Sequence, residues 1–169
     1  MRKIPYSRDV EFFWQTSGYR GMQSIEALKK LAVFDRERIE HVVSRHRELR
    51  LAEDFQGMAE FYAGHASLEL LGNPKQFTYA GVYLGRAGVV DALRRMGTEV
   101  EFLDSETLDM LIDHDRAMMR NRVRVRHRGT GKALSHEIWD IFRFEAGLIV
   151  HQVKFIDLKS FDALSGSRY

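Results

Sequence analysis

Four polar residues in the second half of the chain could perform acid–base chemistry if the fold brings them together. They interrupt runs that are otherwise apolar and β-branched, and they are Asn121, Asp140, Gln152 and Lys154. A carboxylate and a lysine on the wall of a pocket can accept and donate protons. The same residues could instead form a buried network that satisfies its own hydrogen bonds and only fixes the structure around it. The sequence leaves both interpretations open.

Three consecutive strands are predicted to position these residues. The runs AMMRNRVRVRH, KALSHEIWDIFRF and LIVHQVKFID are separated by two short breaks that contain glycine, which is typical of hairpins. We predict that Arg124 pairs with Glu137 and Phe144 with Leu148, which places Gln152 opposite Asp140. Because side chains alternate along a strand, one face then collects Asn121, Val123, Val125, His127, His136, Ile138, Asp140, Phe142, Gln152, Lys154 and Ile156.

The opposite face is predicted to carry a series of arginines and several large apolar residues. The arginines could bind phosphate or nucleic acid, but no aromatic-and-glycine RNA-binding signature accompanies them. We favour a rim or subunit interface, and we expect a homodimer because neither face of the sheet is purely polar. The arginines are Arg120, Arg122, Arg124, Arg126 and Arg128, and the apolar residues are Trp139, Ile141, Val153 and Phe155.

Several other side chains are candidates for a site, each with a simpler structural explanation. His46 could be a general base or a hydrogen-bonded residue of a helix face, and Tyr62 could position a ligand or belong to the core. His127 and His136 could bind a metal with Asp140, but zinc sites need three or four convergent ligands. We therefore predict no metal.

Composition bounds the class of protein. The 169 residues include no cysteine and carry a net charge of +2, so a disulfide framework and a thiolate nucleophile are excluded. No apolar run approaches the ~20 residues of a membrane span, and the beginning of the chain lacks the apolar segment of a secretory signal. We expect a cytoplasmic protein with no membrane contact, and the charge alone does not indicate nucleic acid.

Helices are predicted in the first half of the chain. Residues 1–33 are predicted to form an N-terminal helical extension, with helices at 8–15 and 24–33. Asp35 is expected to cap a helix that ends near Leu51, with His46 on its inner side and Arg47 and Arg50 in solvent. The remaining expected elements are a helix at 55–62, a strand at 66–71, a helix at 87–96 ended by Gly97, and a strand at 99–113.

A pattern of apolar positions and glycines runs through LAEDFQGMAEFYAGHASLEL, GVYLGRAGVVDALRRM, IWDIFRFEAGLI and a closing strand that ends at Asp157. This pattern resembles the nuclear transport factor 2-like superfamily, in its SnoaL-like and ketosteroid isomerase-like branches, over residues 35–164. The resemblance implies one SnoaL-like domain at 34–169 with the cystatin-like α+β barrel fold. In that fold a cone-shaped, curved antiparallel sheet wraps around helices, its inner face lines a pocket, and dimers are common.

The resemblance also bears on the chemistry. Ketosteroid isomerases combine an aspartate base with a tyrosine and a protonated aspartic acid. By position, Asp140 matches that aspartic acid and His46 matches the tyrosine. The base falls on Leu70, which cannot take a proton, so the isomerase mechanism is not supported. Because Lys154 would neighbour Asp140, we expect an ionised carboxylate. A limonene-epoxide hydrolase-like arrangement would need a second pocket aspartate and an arginine, and neither is expected on the inner face.

The sequence therefore predicts a small-molecule pocket protein of the SnoaL-like type. If it is an enzyme, it would be an isomerase, cyclase or hydrolase that acts on a cyclic or aromatic metabolite without a cofactor. Asp140 and His46 would be catalytic, and the ligand would contact Tyr62, Asn121, His127, Gln152 and Lys154. The alternative is a non-catalytic module for ligand binding or dimerisation, which a pocket filled by its own side chains would favour.

Overall fold

The computed structural model describes residues 25–74 and 78–156, with side chains from residue 36 onward. The chain separates into two compact units, Met1–Val33 and Phe34–Tyr169. In the first unit only the helical backbone from Ile25 onward is described, so the N-terminal extension remains a prediction. The expected helix at 8–15, the end of the closing strand at Asp157 and the tail lie outside the described residues.

The described residues form three helices and six strands. The helices are α1 (Ile25–Leu51), α2 (Phe55–Ala59) and α3 (Gly85–Glu99), and the strands are β1 (Tyr62–Leu71), β2 (Gly81–Leu84), β3 (Val100–Asp113), β4 (Arg116–His127), β5 (Ala133–Glu145) and β6 (Leu148–Ile156). None of the described helices combines the length and the apolar character that crossing a membrane requires.

The strands make one curved, unclosed sheet in the order β2-β1-β6-β5-β4-β3. Neighbouring strands are antiparallel except β1 and β6, which run parallel. Bulges interrupt β3 after Phe102 and after Thr107, and such bulges bend a strand and increase its twist. The predicted α+β class is therefore confirmed.

The inner face predicted for these three strands is confirmed, since all its residues are buried or half-buried, but both predicted registers are wrong by two residues. Arg122, not Arg124, pairs with Glu137. The register is set at the turn, where His127 N–H donates to Lys132 O at 2.9 Å. Asp140 pairs with Lys154, not with Gln152. Beyond the bulge the shift is even, which keeps Asp140, Gln152 and Lys154 on their predicted face and places Lys154 directly opposite Asp140.

Glycine geometry and a bulge explain the second register. Ala146 and Gly147 both have positive φ angles, of 48° and 76°, and form a two-residue turn that pairs Glu145 with Leu148. The bulge between Arg143 and Phe144 then shifts the pairing by one more residue. Neither the turn length nor the bulge follows from the alternation of apolar residues.

Three predicted element ends are also wrong. The helix α1 is continuous through Asp35, so that residue is not an N-cap. Tyr62 begins β1 and is not the end of α2. Gly97 does not end α3, which continues to Glu99. Its role is close packing, since a Cβ atom there would lie 2.4 Å from Cζ of Phe55.

The core lies between the helices and one face of the sheet. From α1 come Ile39, Val42, Val43 and Leu49, from α3 Val89, Leu93 and Met96, and from the sheet Leu68, Val123, Val125, Ile138 and Phe142. Burial of such side chains contributes about 1.5–3 kcal/mol each. The predicted inner face of β4–β6 is therefore the face that the helices cover.

The arginines of β4 lie on the outer face, opposite acidic residues. The cross-strand neighbours on β3 are Glu101 for Arg126, Asp104 for Arg124, Glu106 for Arg122 and Asp109 for Arg120. Arg126 and Arg122 approach their glutamates at 3.1 and 3.3 Å, and Arg120 approaches Glu137 at 2.7 Å. Each such pair supports the register by about 0.2–1 kcal/mol, so the arginine series belongs to a charge-balanced ladder.

Candidate functional site

Asp140 is the centre of a buried polar network on the inner face of the sheet. The alternation of β5 turns its side chain toward α1, between the apolar residues Ile138 and Phe142. Asp140 Oδ1 accepts hydrogen bonds from Lys154 Nζ, directly opposite on β6, and from Gln152 Nε2 at 2.7 Å. The structure thus brings together three of the predicted site residues.

Tyr62 and His46 extend the network toward the helix. The Tyr62 hydroxyl donates to Gln152 Oε1, and His46 Nε2 lies 2.8 Å from the same hydroxyl oxygen. Because the hydroxyl has one proton and gives it to Gln152, His46 Nε2–H is the donor to Tyr62. The Gln152 amide can donate to Asp140 and accept from Tyr62 only in this orientation. An amide does not readily pass a proton between its oxygen and its nitrogen. This series of hydrogen bonds from His46 to Asp140 therefore orients the side chains and does not conduct protons.

Arg50 completes the site, and its predicted exposure to solvent is wrong. Its side chain is 2% exposed, with Nη1 3.5 Å from Asp140 Oδ2 and Cζ 4.9 Å from the centroid of the Phe102 ring. The arginine of the site therefore comes from α1 and not from the inner face of the sheet. Arg50 lies four residues after His46, and that spacing places two side chains on one face of a helix. This spacing is the feature of the sequence from which the burial of Arg50 could have been predicted.

Burial and charge set the protonation states of the network. Burial raises the pKa of Asp140, but Lys154 and Arg50 outweigh burial and lower the pKa below its ordinary value, so the expected ionised carboxylate is confirmed. Burial lowers the pKa of Lys154 to about 8, although Asp140 acts in the opposite direction. Burial, reinforced by Arg50, lowers the pKa of His46 to about 3, so this ring is neutral at pH 7.

Tyr62 keeps its proton throughout the physiological range. Burial, followed by the charge of Asp140, raises the pKa of its hydroxyl well above the ordinary value. The site therefore holds one anion, two cations and three neutral hydrogen-bonding groups. Lys154 is the member whose pKa lies nearest to neutrality.

Asn121 is buried beside this network but bonds to other residues. Its Oδ1 accepts from Thr107 Oγ1 at 2.9 Å, and Thr107 Oγ1 accepts from Arg47 Nη1 at 3.0 Å. Asn121 Nδ2 is buried without a hydrogen-bond partner. Its cross-strand neighbour is Ile138, which makes it a diagonal neighbour of Asp140 at roughly 7–8 Å between Cα atoms.

His127 is not brought to the network. It ends β4, six residues beyond Asn121, and this separation corresponds to about 20 Å along a strand. Its Nδ1 accepts from the Thr130 backbone N–H at 3.1 Å, so the ring contributes to the β4–β5 turn.

Leu70, the residue at the position of the isomerase base, is buried in β1. Among residues 36–74 and 78–156, no group of three or more metal-ligating His, Asp or Glu side chains occurs.

A small cavity adjoins Lys154 on the inner face. Its volume is about 10 Å³, and its lining comprises Tyr79, Met96, Val100, Phe102, Val125, His136, Ile138, Lys154 and Ile156. This space holds about one water molecule, whereas pockets for organic ligands measure roughly 300–1,000 Å³. Among the members of the network, Lys154 is the one that lines this cavity.

Comparison with known proteins decides the family. The model of the SnoaL-like domain matches residues 43–152, which is more than half of the chain. This protein belongs to the SnoaL-like family. The matched segment contains His46, Arg50, Tyr62, Asp140 and Gln152, and Lys154 lies two residues beyond its end. Among curated proteins, none matches the chain.

Solved structures of this SnoaL-like protein's relatives show the same fold at low identity. An NTF2-like protein of unknown function from Burkholderia pseudomallei has a TM-score of 0.68 and 16% identity, with 77% of this chain and 98% of that chain covered. TerC, co-crystallised with polyporic acid, has a TM-score of 0.67 and 14% identity, with 77% and 99% covered. A protein proposed as a polyketide cyclase from Xanthomonas campestris pv. campestris has a TM-score of 0.63 and 18% identity, with 77% and 98% covered.

Proposed function

We propose that this SnoaL-like protein binds a small cyclic or aromatic molecule between α1 and the inner face of the sheet, and that Lys154 exchanges a proton with it. The observation that carries the proposal is the Asp140–Lys154 pair, buried together with Arg50. A general acid or base works best when its pKa lies near the operating pH, and burial lowers the pKa of Lys154 to about 8.

The other members of the network take supporting roles in this proposal. Asp140 has a lowered pKa, which makes it a weak base, so its charge holds Lys154 in place and balances it. His46 was expected to be catalytic, but a pKa of about 3 makes its ring too weak a base to take up a proton at neutral pH. Its hydrogen bond to Tyr62 instead holds in place the series of hydrogen bonds that ends at Asp140. In this proposal Lys154, and not His46, is the residue that exchanges a proton with the ligand.

Two relatives support the choice of ligand class. TerC was co-crystallised with polyporic acid, and another relative is a proposed polyketide cyclase. Cyclic carbonyl compounds present an oxygen that an ammonium group can stabilise as negative charge develops. We propose isomerase, cyclase or hydrolase chemistry on such a compound, a reaction that proton transfer by Lys154 would support.

Proton exchange gives a test that does not require the natural substrate. The protein would be incubated in D₂O with a panel of cyclic ketones and lactones, and deuterium uptake next to the carbonyl would be followed by NMR. We expect the wild type to accelerate uptake for at least one compound and Lys154→Met to abolish the acceleration. Lys132→Met, in an exposed turn, is the control that should retain it. Equal rates in the wild type and Lys154→Met would contradict the proposal.

The second candidate function is a non-catalytic module, and the size of the cavity favours it. A space of about 10 Å³ beside Lys154 is what a network that only fixes the sheet would leave. In that case no compound of the panel would exchange faster, and any bound compound would be released unchanged.

The outer sheet face supports a homodimer as part of either proposal. Trp139, Ile141 and Phe155 are 37%, 37% and 41% exposed. Trp139 pairs with Phe155, and Ile141 pairs with Val153, so the four form one continuous block. Exposed apolar blocks rimmed by charges are typical of protein interfaces, and Arg120 and Glu137 lie at the edge of this one.

A further inference from the structure

The buried part of the site carries more positive than negative charge. Arg50 and Lys154 are cations at pH 7, Asp140 is the anion and His46 is neutral, so two positive charges minus one negative charge leave +1. Arg47, half-buried one turn before Arg50, forms no ion pair with any described residue. An uncompensated buried charge is costly, so the site is electrostatically incomplete.

Unpartnered donors lie in the same region. Arg50 Nε and Asn121 Nδ2 belong to side chains that are 2% and 0% exposed, and neither atom has a hydrogen-bond partner. Arg47 Nε and Ser105 Oγ are also buried atoms without one. Native structures leave few such groups unsatisfied, and each costs about 1–3 kcal/mol. All three nitrogen atoms can only donate, so what they lack is an acceptor.

The region that these donors share lies between α1 and strands β3 and β4. Arg47 reaches Thr107 on β3, which bonds to Asn121 on β4. Arg50, on the same helix face, contacts Phe102 on β3 and Asp140 on β5. Ser105 lies between Phe102 and Thr107 on the same strand, with Val123 of the inner face as its neighbour. The excess charge and the free donors therefore coincide.

We propose that the ligand is an organic carboxylate and that Arg47, Arg50 and Asn121 bind its carboxylate group. This inference rests on the proposed function, because it assigns the substrate class of the same site. A single carboxylate supplies the one negative charge that the fully buried groups lack. Guanidinium N–H edges fit a planar carboxylate in a bidentate manner. The remainder of the ligand then extends toward Lys154, the group at the reacting end.

Matched carboxylates and amides test the proposal. Benzoate, phenylacetate and 1-naphthoate would be compared with benzamide, phenylacetamide and 1-naphthamide at pH 7 and fixed ionic strength, by calorimetric titration and thermal shift. We expect at least one carboxylate to bind the wild type tenfold or more tightly than its amide. In Arg50→Gln this preference should fall to threefold or less.

Two further variants keep the test decisive if Arg50→Gln does not fold. Arg47→Gln removes a half-buried side chain that donates to Thr107 Oγ1 at 3.0 Å, and it should reduce the preference at least threefold. Arg45→Gln is the matched control on the same helix, since Arg45 is exposed and pairs with Glu48 at 2.7 Å. It should leave the preference unchanged.

The possible failures are distinguishable. If amides and carboxylates bind equally and both require Lys154, the carboxylate inference is overturned and the proposed function stands. If chloride displaces benzoate at equal concentration, the site takes an adventitious ion only, and the inference is overturned as well. If no compound of either class binds, the inference and the proposed function both fail.

Discussion

The guanidinium of Arg50 lies 3.5 Å from Asp140 Oδ2, and both side chains are 2% exposed. This contact joins α1 to the middle of β5, and Lys154 approaches the other oxygen of the same carboxylate. One buried anion thus serves two buried cations. The imbalance makes the effects of mutating these residues unequal.

Removing the anion should cost more than removing a cation. Asp140→Asn leaves Lys154 and Arg50 buried without a counter-charge, and we expect it to lower the free energy of unfolding by about 3–5 kcal/mol. Lys154→Met leaves one cation facing one anion and fills a similar volume, so it should cost less than half as much. Urea unfolding at pH 7 measures both values. An equal loss in the two variants would show that the buried charges are already balanced.

His46 should make the protein sensitive to acid. Burial lowers its pKa to about 3 from the ordinary histidine value of 6.5, so between these values the unfolded chain binds a proton that the folded chain does not. Stability is therefore fully present above pH 6.5 and is lost as the pH falls toward 3, by up to about 1.4 kcal/mol per pH unit. His46→Gln should remove this contribution to the slope between pH 6 and pH 4. A variant with the wild-type slope over that interval would contradict the assignment.

The Tyr62 hydroxyl should matter more than an ordinary tyrosine hydroxyl. Tyr62→Phe leaves His46 Nε2–H and Gln152 Oε1 without a partner, and each buried unsatisfied group costs about 1–3 kcal/mol. Tyr83→Phe is the matched control, because the half-buried Tyr83 hydroxyl makes one bond, to Tyr79 O at 2.9 Å. We expect urea unfolding to show a loss at least twice as large for Tyr62→Phe. Similar losses would mean that the chain from His46 to Asp140 contributes little.

The outer face should control the oligomeric state. If Trp139, Ile141, Val153 and Phe155 form the interface of a homodimer, Ile141→Lys introduces a charge at its centre and should give a monomer. Ala87→Lys, on the exposed side of α3, should leave the mass unchanged. Light scattering at micromolar concentration measures this directly. A wild type that is already monomeric under those conditions would reject the interface.

The layout of the sheet was predictable because alternation is a local property of the sequence. Every residue that the pattern placed on the inner face of β4–β6, from Asn121 to Ile156, is buried or half-buried. The pairing of β5 with β6 was harder to predict from the sequence, since it depends on a two-residue turn at Ala146 and Gly147 and on a bulge at Arg143. These details moved Lys154 from a diagonal position to one directly opposite Asp140.

The site itself was only partly predictable. His46, Tyr62, Gln152 and Asp140 were found from the faces of their elements and from the resemblance to the SnoaL-like family. Arg50 was missed because an isolated charged residue on a helix is normally solvated, and only a buried acceptor such as Asp140 reverses that expectation. His127 was included because it continues the inner face of β4, although the strand ends there and its ring turns to Thr130.

The most direct measurement is an NMR titration of the Lys154 side chain, with the ¹³Cε and ¹⁵Nζ signals followed from pH 6 to pH 11 with and without a bound carboxylate. We predict a midpoint near pH 8 in the free protein, because burial lowers the pKa of Lys154 to about this value, and a clear change of both signals when the ligand binds. A midpoint above pH 10, or signals that no ligand of the panel affects, would contradict the proposal that Lys154 is the proton-exchanging group of this site.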